Sequence, residues 1–387
     1  MNSRPSLRFK PQSTNVLRNW LSISTIALLT ALAGCAASNN QSQTASSPAA
    51  SASPAASSPA ASASPVQVEP TGLLAQVLSR SKIICGTSGK VPGFSFVNTQ
   101  GEYSGFDVDI CRAVAVAVFN DPSKVEFRQL SAAQRFTSSQ TGSIDIISQT
   151  ATVTISREST VGVAFGPVIL YDGQGLMVKK NSGITKIEQL AGKSVCVQTG
   201  STTILNLTDQ FRKRGIAYKP VSFDDNNATF AAYQQGRCEA VTADRSGLVS
   251  NRSKLPNPDE HTILDIVLSK EPLAPGVKQG DPQWANVLNW VVYVLIQADE
   301  FGITSKNVDQ IAQSTKDPDI RRFLGLEGDL GKGLALKNDY ALQVIKQIGN
   351  YSEVYDRNLG KDSPLKLERG PNKLWTDGGL LYSPPFR

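Results

Sequence analysis

The sequence predicts an α/β protein built as two lobes. Three observations carry that reading. Strand-like and helix-like segments alternate through the body of the chain, a βαβαβ run occurs twice, and the chain turns back toward the first run after about residue 272. Two crossings between the lobes give a two-strand hinge, on which a cleft can close over a ligand.

The first run opens with "KIICGT" (82–87), a short apolar strand. "SGFDVDICRAVAVAVF" (104–119) follows a turn, with Phe106, Ile110, Ala113, Val114, Ala117 and Val118 at helical spacing and Ser104 placed to cap it. "KVEFRQL" (124–130) and "SIDIISQT" (143–150) read as strands around a short helix starting near Ala132. "TATVTISR" (150–157) leaves the last of these strands, and "VGVAFGPVIL" behind it leads toward the hinge.

The second run begins at "QGLMVKK" (174–180). "KSVCVQT" (193–199) is a strand, and a helix runs from Ser201 to a terminal Gly215. "YKPVSF" (218–223), a helix around 225–235 and "EAVTAD" (239–244) complete the lobe. The stretch from 269 on supplies a further strand and a long amphipathic helix.

The N-terminus is of another kind. Residues 1–68 contain no Asp or Glu, and Arg4, Arg8, Lys10 and Arg18 precede the short apolar run "LSISTIALLTALAG". A basic region, a short apolar core and small residues form the layout of an export signal, too short for an ordinary transmembrane span. It ends in "LAGC", which resembles a bacterial lipobox with Cys35 as the lipid acceptor; the alternative is a soluble export signal that happens to contain a cysteine. The tract that follows is almost wholly Ala, Ser, Pro, Gln and Asn, which cannot bury a core and is expected to be a disordered tether. The expected organisation is a signal over 1–34, a lipid-anchored linker over 35–71, the first part of lobe one over 72–173 and lobe two over 174–271. A return segment of lobe one over 272–330 and a C-terminal extension packed on that lobe over 331–387 complete it.

Formal charge is +6; removing the four basic residues of the signal leaves +2. No basic tract or arginine-rich helix stands out, which argues against nucleic-acid binding. Besides Cys35 there are four cysteines, Cys85, Cys111, Cys196 and Cys238. In an oxidising compartment an even number suggests two disulfides with three possible connectivities, buried free thiols being the alternative. Pairing 85 with 111 and 196 with 238 keeps each bond inside one lobe and is the favoured arrangement. Each such bond would contribute about 3–4 kcal/mol.

Ligands of open α/β sheets bind at the carboxyl ends of strands. Three such ends stand out: "TATVTISR", "QTGSTT" (198–203) and "TADRSG" (242–247). The second opens a helix with a glycine and hydroxyl residues, so its free N–H groups suit an anion, or Ser201 simply caps the helix. Asp244 could pair with Arg245 in an exposed turn, and Arg157 could be a solvated arginine at a helix start. Taken together they supply a cation, an amide-and-hydroxyl cradle and an anion on facing lobes, which suits a zwitterion. A nucleophile is not evident. His261 is the sole histidine, and no GxSxG, HExxH or P-loop pattern occurs. Asp107 and Asp109 lie two apart on a helix start, where capping explains them better than acid/base chemistry. No cofactor or metal site is expected.

"GEYSGFDVDICRAVA", "TGSIDIISQTATVTISRE", "GKSVCVQTGSTT" and "GRCEAVTADRSGL" resemble, in order and spacing, the type II periplasmic solute-binding proteins that bind amino acids for ABC transporters. The stretch "QIGNYSEVYDRNLG…LERGPNKLWTDGGLLYSPPFR" looks like the longer general L-amino-acid-binding subgroup. The resemblance implies a periplasmic-binding-protein-like fold with the ligand cleft between the lobes, and capture of polar, acidic and neutral L-amino acids for a membrane permease. It implies that Arg157 pairs with the ligand α-carboxylate, aided by the hydroxyl and N–H of Thr152 and a backbone N–H at Thr202. Asp244 would take the α-ammonium, with the Thr150 carbonyl beside it, although relatives often carry glycine there. The pocket departs from many relatives, since "SAAQRF" holds no aromatic before Phe136; Arg135 is a candidate for the ligand side chain, or else a surface arginine. Phe94 is the expected apolar wall, and Gln198 stands where some relatives carry a basic contact. The expected protein is an exported, lipid-anchored monomer without enzymatic activity. An exported enzyme on the same fold, of the cyclohexadienyl dehydratase kind, and a ligand-sensing domain are the alternatives.

Overall fold

A computed structural model of the chain describes residues 68–387. The expected signal, Cys35 and most of the tether lie outside the described residues.

Helix α1 (Gly72–Arg80) leads into β1 (Ile83–Thr87), then a small antiparallel sheet of β2 (Lys90–Val91), β3 (Ser95–Val97) and β4 (Tyr103–Ser104). Helix α2 (Phe106–Phe119), β5 (Val125–Gln129), α3 (Gln134–Gln140), β6 (Ile146–Ile147), α4 (Ile155–Ser159) and β7 (Val163–Phe165) follow. A long strand, β8 (Leu170–Lys179), enters the second lobe, which holds β9 (Ser194–Gln198), α5 (Thr202–Lys213), β10 (Lys219–Phe223) and α6 (Asn226–Gln234). Next come β11 (Ala240–Asp244), α7 (Arg245–Arg252) and β12 (His261–Ile263). Strand β13 (Lys270–Leu273) returns beside β8, and β14 (Gly276–Lys278) rejoins the first sheet ahead of α8 (Pro282–Glu300). The chain ends in helices α9 (Val308–Ser314), α10 (Pro318–Phe323), α11 (Leu330–Gly333), α12 (Tyr340–Ile348) and α13 (Tyr351–Asn358) and a coil to Arg387.

The first sheet has the order β5-β1-β6-β14-β7, with β1, β5 and β6 parallel and β14 antiparallel to both neighbours. The second runs β10-β9-β11-β8-β12, its first three strands parallel. Both are therefore mixed sheets, and the carboxyl ends of their parallel strands border the cleft. Alternation along β8 divides the second lobe's core. Leu176 and Val178 join α5 on one face, while Met177 joins α6 and Leu248 on the other. Lobe one and the C-terminal helices share one core, in which α2, α8 and α12 meet through Val114, Val291 and Ala341.

The disulfides are Cys85–Cys111, tying β1 to α2, and Cys196–Cys238, tying β9 to the turn before β11. Each lobe thus has its own staple, as expected. Three local readings change. The 143–150 strand shrinks to Ile146–Ile147, because Thr150 takes a left-handed backbone (φ 43°) that strand pairing cannot use. "TISR" turns into α4, whose start is capped by the Thr154 hydroxyl accepting from the Arg157 N–H at 3.3 Å. At the start of α2 neither Ser104 nor the aspartates cap the helix. Gly105 (φ 128°) stands at that position, where a Cβ would lie 2.2 Å from the Phe94 carbonyl oxygen.

Candidate ligand-binding site

Between the lobes lies a cavity of about 90 Å³, built from the strand ends and the helix starts that follow them. The lobes touch around it. The Lys90 ammonium pairs with Asp225, Ser250 Oγ donates to the Pro92 carbonyl at 2.6 Å, and Lys254 Nζ donates to the Lys90 carbonyl at 2.8 Å. Gly200 approaches Ala133 so closely that a Cβ there would lie 2.7 Å from the Ala133 nitrogen. This is a closed cleft.

Lobe one contributes Arg135, Thr150 and Thr152 to the lining; lobe two contributes Gln198, Thr202 and Asp244. Six of the sequence-derived candidates therefore converge on one space. Arg157 stands behind Thr152, nearly buried, and its Nη1 donates to the Thr152 carbonyl at 2.6 Å. Its Nε and Nη2 have no protein acceptor among the described residues. Arg135 Nη1 donates to the Gln149 carbonyl at 2.5 Å. Both guanidiniums lie against the Phe136 ring, at 4.8 Å for Arg135 and 4.9 Å for Arg157. Burial disfavours the charge on each. The Arg135 value is pulled down to about 9 by burial and then by Arg157, with Asp244 and Asp107 offsetting part of it.

Asp244 closes the opposite side. It forms no ion pair with Arg245, whose Nη1 is instead taken by the carbonyls of Leu264 (2.9 Å) and Ile266 (3.0 Å). Burial, then Asp172 and Glu271, push its carboxyl well above the usual carboxylate range, while Arg135 and Arg157 pull the other way. Among the described residues no side chain or amide satisfies it by hydrogen bonding.

Phe94 is a correction. It is 1% exposed, belongs to the lobe-one core and does not line the cavity. The hairpin of β2 and β3 folds it beneath α2, where its carbonyl accepts from the Asp107 N–H at 2.9 Å. The apolar wall comes instead from Val91, Ala132, Phe230 and Ala243. The capping role for Asp107 and Asp109 is a second correction. Asp107 is buried near Arg135, and Asp109 pairs with Arg357 and Arg112.

Two acids escaped the sequence reading. On the hinge, Glu271 pairs in register with Asp172. Glu271 Oε2 accepts from the hydroxyls of Thr152 (2.6 Å) and Thr202 (2.9 Å), and Oε1 accepts from Asn206 Nδ2 (2.7 Å). Asp172 accepts from the Ser246 N–H (3.1 Å) at the start of α7. In this arrangement the Thr152 hydroxyl hydrogen is already committed to Glu271. A ligand carboxylate must then be met by main-chain N–H groups and guanidinium. The only local signal was a glutamate inside "SKEPLAPG", and nothing there marks it as facing a cleft. Among the described residues no cluster of His, Cys, Asp and Glu fits a metal ion.

The profile of bacterial extracellular solute-binding proteins, family 3, matches residues 83–307. The chain is 48% identical over 316 residues to the general L-amino acid-binding periplasmic protein AapJ of Rhizobium johnstonii, covering 81% of this chain and 92% of that protein. It is 43% identical over 314 residues to the glutamate/glutamine/aspartate/asparagine-binding protein BztA of Rhodobacter capsulatus, covering 81% and 93%. A solved periplasmic binding protein of an ABC transporter from Brucella ovis, with glutathione bound, superposes with a TM-score of 0.80 at 45% identity, covering 82% of this chain and all of that one. The profile match and these relatives agree with the two-lobed architecture, and the chain belongs to the family 3 bacterial extracellular solute-binding proteins.

Proposed function

We propose that the protein captures free L-amino acids, acidic, polar and neutral, and delivers them to the permease of an ABC transporter. One observation carries the reading: the enclosed cavity has Asp244, a carboxyl without a hydrogen-bond partner among the described residues, on one side and the Arg135 guanidinium on the other, with the Arg157 guanidinium behind Thr152. That is the charge pattern of an α-amino acid. The free fork of Arg157, the main-chain N–H groups at Thr152 and Thr202, and the macrodipole of α5 receive the α-carboxylate. Asp244 and the Thr150 carbonyl receive the ammonium. Closure excludes water, which strengthens each charge-assisted bond. Gln198 and Arg135 face the ligand side chain. Binding rather than turnover is favoured by the placement of His261, which is outside the cavity and hydrogen-bonded through Nδ1 to the Tyr233 hydroxyl at 2.7 Å. Export and lipidation at Cys35 would hold the protein beside its permease, on the periplasmic side as the relatives' names indicate.

Calorimetry against the twenty L-amino acids, with the ligand recovered and analysed, tests this. Saturable one-to-one binding of intact polar and acidic amino acids is expected. Failure of every amino acid to bind, or a chemically altered ligand, overturns it. Glutathione belongs in the panel, since its γ-glutamyl end carries the same α-amino and α-carboxyl groups.

A further inference from the structure

Glu271 is 1% exposed and has no part in the ligand scheme above, yet four neutral side chains converge on it as donors. Oε2 accepts from the Thr152 hydroxyl of lobe one at 2.6 Å and from the Thr202 hydroxyl of lobe two at 2.9 Å. Oε1 accepts from Asn206 Nδ2 at 2.7 Å and from the Ser269 hydroxyl at 2.5 Å. One carboxyl group therefore holds polar side chains of both lobes at once.

Glu271 stands where the chain passes from one core to the other. Leu268 belongs to the lobe-two core and Leu273 to that of lobe one. On the lobe-one side, the Val153 N–H donates to the Pro272 carbonyl at 2.9 Å, and Thr152 bridges Leu273. On the lobe-two side, Thr202, Asn206 and Gln210 recur at helical spacing along one face of α5. The first two reach Glu271, and Gln210 Nε2 donates to the Leu268 carbonyl at 2.8 Å. The Thr152 and Thr202 hydroxyl oxygens stand 3.4 Å apart across the cleft. Rotation of the lobes about this passage separates them, and Oε2 then keeps one hydroxyl at most.

We propose that Glu271 is a positioning residue, a clasp on the hinge strand that joins Thr152 to Thr202 and Asn206 and stabilises the closed cleft without touching the ligand. The proposal rests on the amino-acid-binding reading. Glu271 and Asn206 stand outside the cavity lining, and every bond of the clasp is made to protein. Its contribution is therefore the same whatever side chain the bound amino acid carries. An acid placed here also has a cost, since Thr152 and Thr202 are the residues that receive the α-carboxylate, which a neighbouring acid repels. Clasp and repulsion predict opposite signs for the neutral isostere: loss of the clasp weakens binding, and relief of repulsion strengthens it.

The test uses the full chain and three probes, L-glutamate, L-glutamine and L-alanine, with dissociation constants from calorimetry and release rates from stopped-flow mixing. Glu271→Gln keeps the shape of the side chain but leaves one acceptor atom where there were two. It should weaken all three amino acids by a common factor of about ten, with faster release carrying the loss. Asn206→Leu removes a lobe-two partner at a half-buried position and should give a smaller common loss, about threefold. The double variant should fall short of the product of the two losses, because both changes undo one set of contacts. If Glu271→Gln does not fold, Asn206→Leu carries the test, and it should melt near the wild-type temperature without ligand. Unchanged or tighter binding by either variant, losses that differ among the three amino acids, or losses that multiply in the double variant overturn the proposal. Failure of the wild type to bind any amino acid would instead overturn the reading beneath it.

Discussion

The two halves of the cavity are built differently. Lobe one delivers its charges from one short stretch, Ala132 to Arg157, and supports them internally: carbonyls of Gln149 and Thr152 hold the guanidiniums, and Phe136 lies against both. Lobe two draws on three separate segments, Gln198–Thr203, Asn226–Phe230 and Thr242–Asn251, and its central charge, Asp244, has no partner of its own. The first half is set before ligand arrives. On the proposed reading, an ammonium enclosed with Asp244 would relieve the cost of burying that carboxylate in the second half. Closure would then be coupled to occupancy, since a ligand shifts the lobes only by its differential interaction with the closed form.

The contrast predicts opposite effects on the empty protein. Arg157→Ala and Asp244→Asn should each weaken amino-acid binding by about 2–5 kcal/mol, because each leaves an opposing charge buried without its partner. Asp244→Asn should also raise the melting temperature of the ligand-free protein, since it removes a carboxyl whose ionisation burial, Asp172 and Glu271 all oppose. Arg157→Ala should lower it, by loss of the Thr152 bond and the Phe136 contact. Calorimetry paired with thermal melts reads both. A lower melting temperature for the Asp244 variant would end the idea that lobe two stores an uncompensated charge.

A smaller effect follows from the contact between lobes. Gly200→Val places a branched side chain where even a Cβ would come within 2.7 Å of the Ala133 nitrogen. Full closure should be blocked and affinity reduced about tenfold, while lobe one still receives the ligand. Small-angle scattering should show the variant remaining extended on addition of ligand. Ligand-induced compaction equal to that of wild type would remove closure as the origin of the loss.

The architecture was legible because it is written in local periodicity. The alternation of strand and helix, the cysteines that fall one pair to a lobe, and the strand ends with hydroxyls and charges all appear within short windows. What escaped depends on the third dimension. Phe94 sits in an apolar hairpin that could face either way, and only the approach of α2 at Gly105 turns it inward. Glu271 and Asp172 are nearly a hundred positions apart and become neighbours through hinge register alone. Asp107 has the sequence context of a helix cap, and its buried position appears only when the chain after β6 brings Ser148 and Thr150 against the start of α2.

The hinge carries the smallest prediction, and it concerns the C-terminal extension. Opposite Tyr171 in β13 stands Pro272, so the Tyr171 N–H and carbonyl face away from that strand. Asn372 meets both of them. Its Oδ1 accepts from the Tyr171 N–H at 2.6 Å, and its Nδ2 donates to the Tyr171 carbonyl at 3.1 Å, as a neighbouring strand would. One residue pair away, the Tyr351 hydroxyl donates to the Ile169 carbonyl at 2.7 Å. The extension thus braces one of the two hinge strands from outside and stiffens the lobe-one side of the joint. Asn372→Ala should cost about 1 kcal/mol of stability, since water can reach the freed groups in part. It should speed hydrogen exchange at the Tyr171 amide without touching any residue of the cavity. If exchange there is unchanged while stability falls, the extension supports the core of lobe one and leaves hinge motion to the strands themselves.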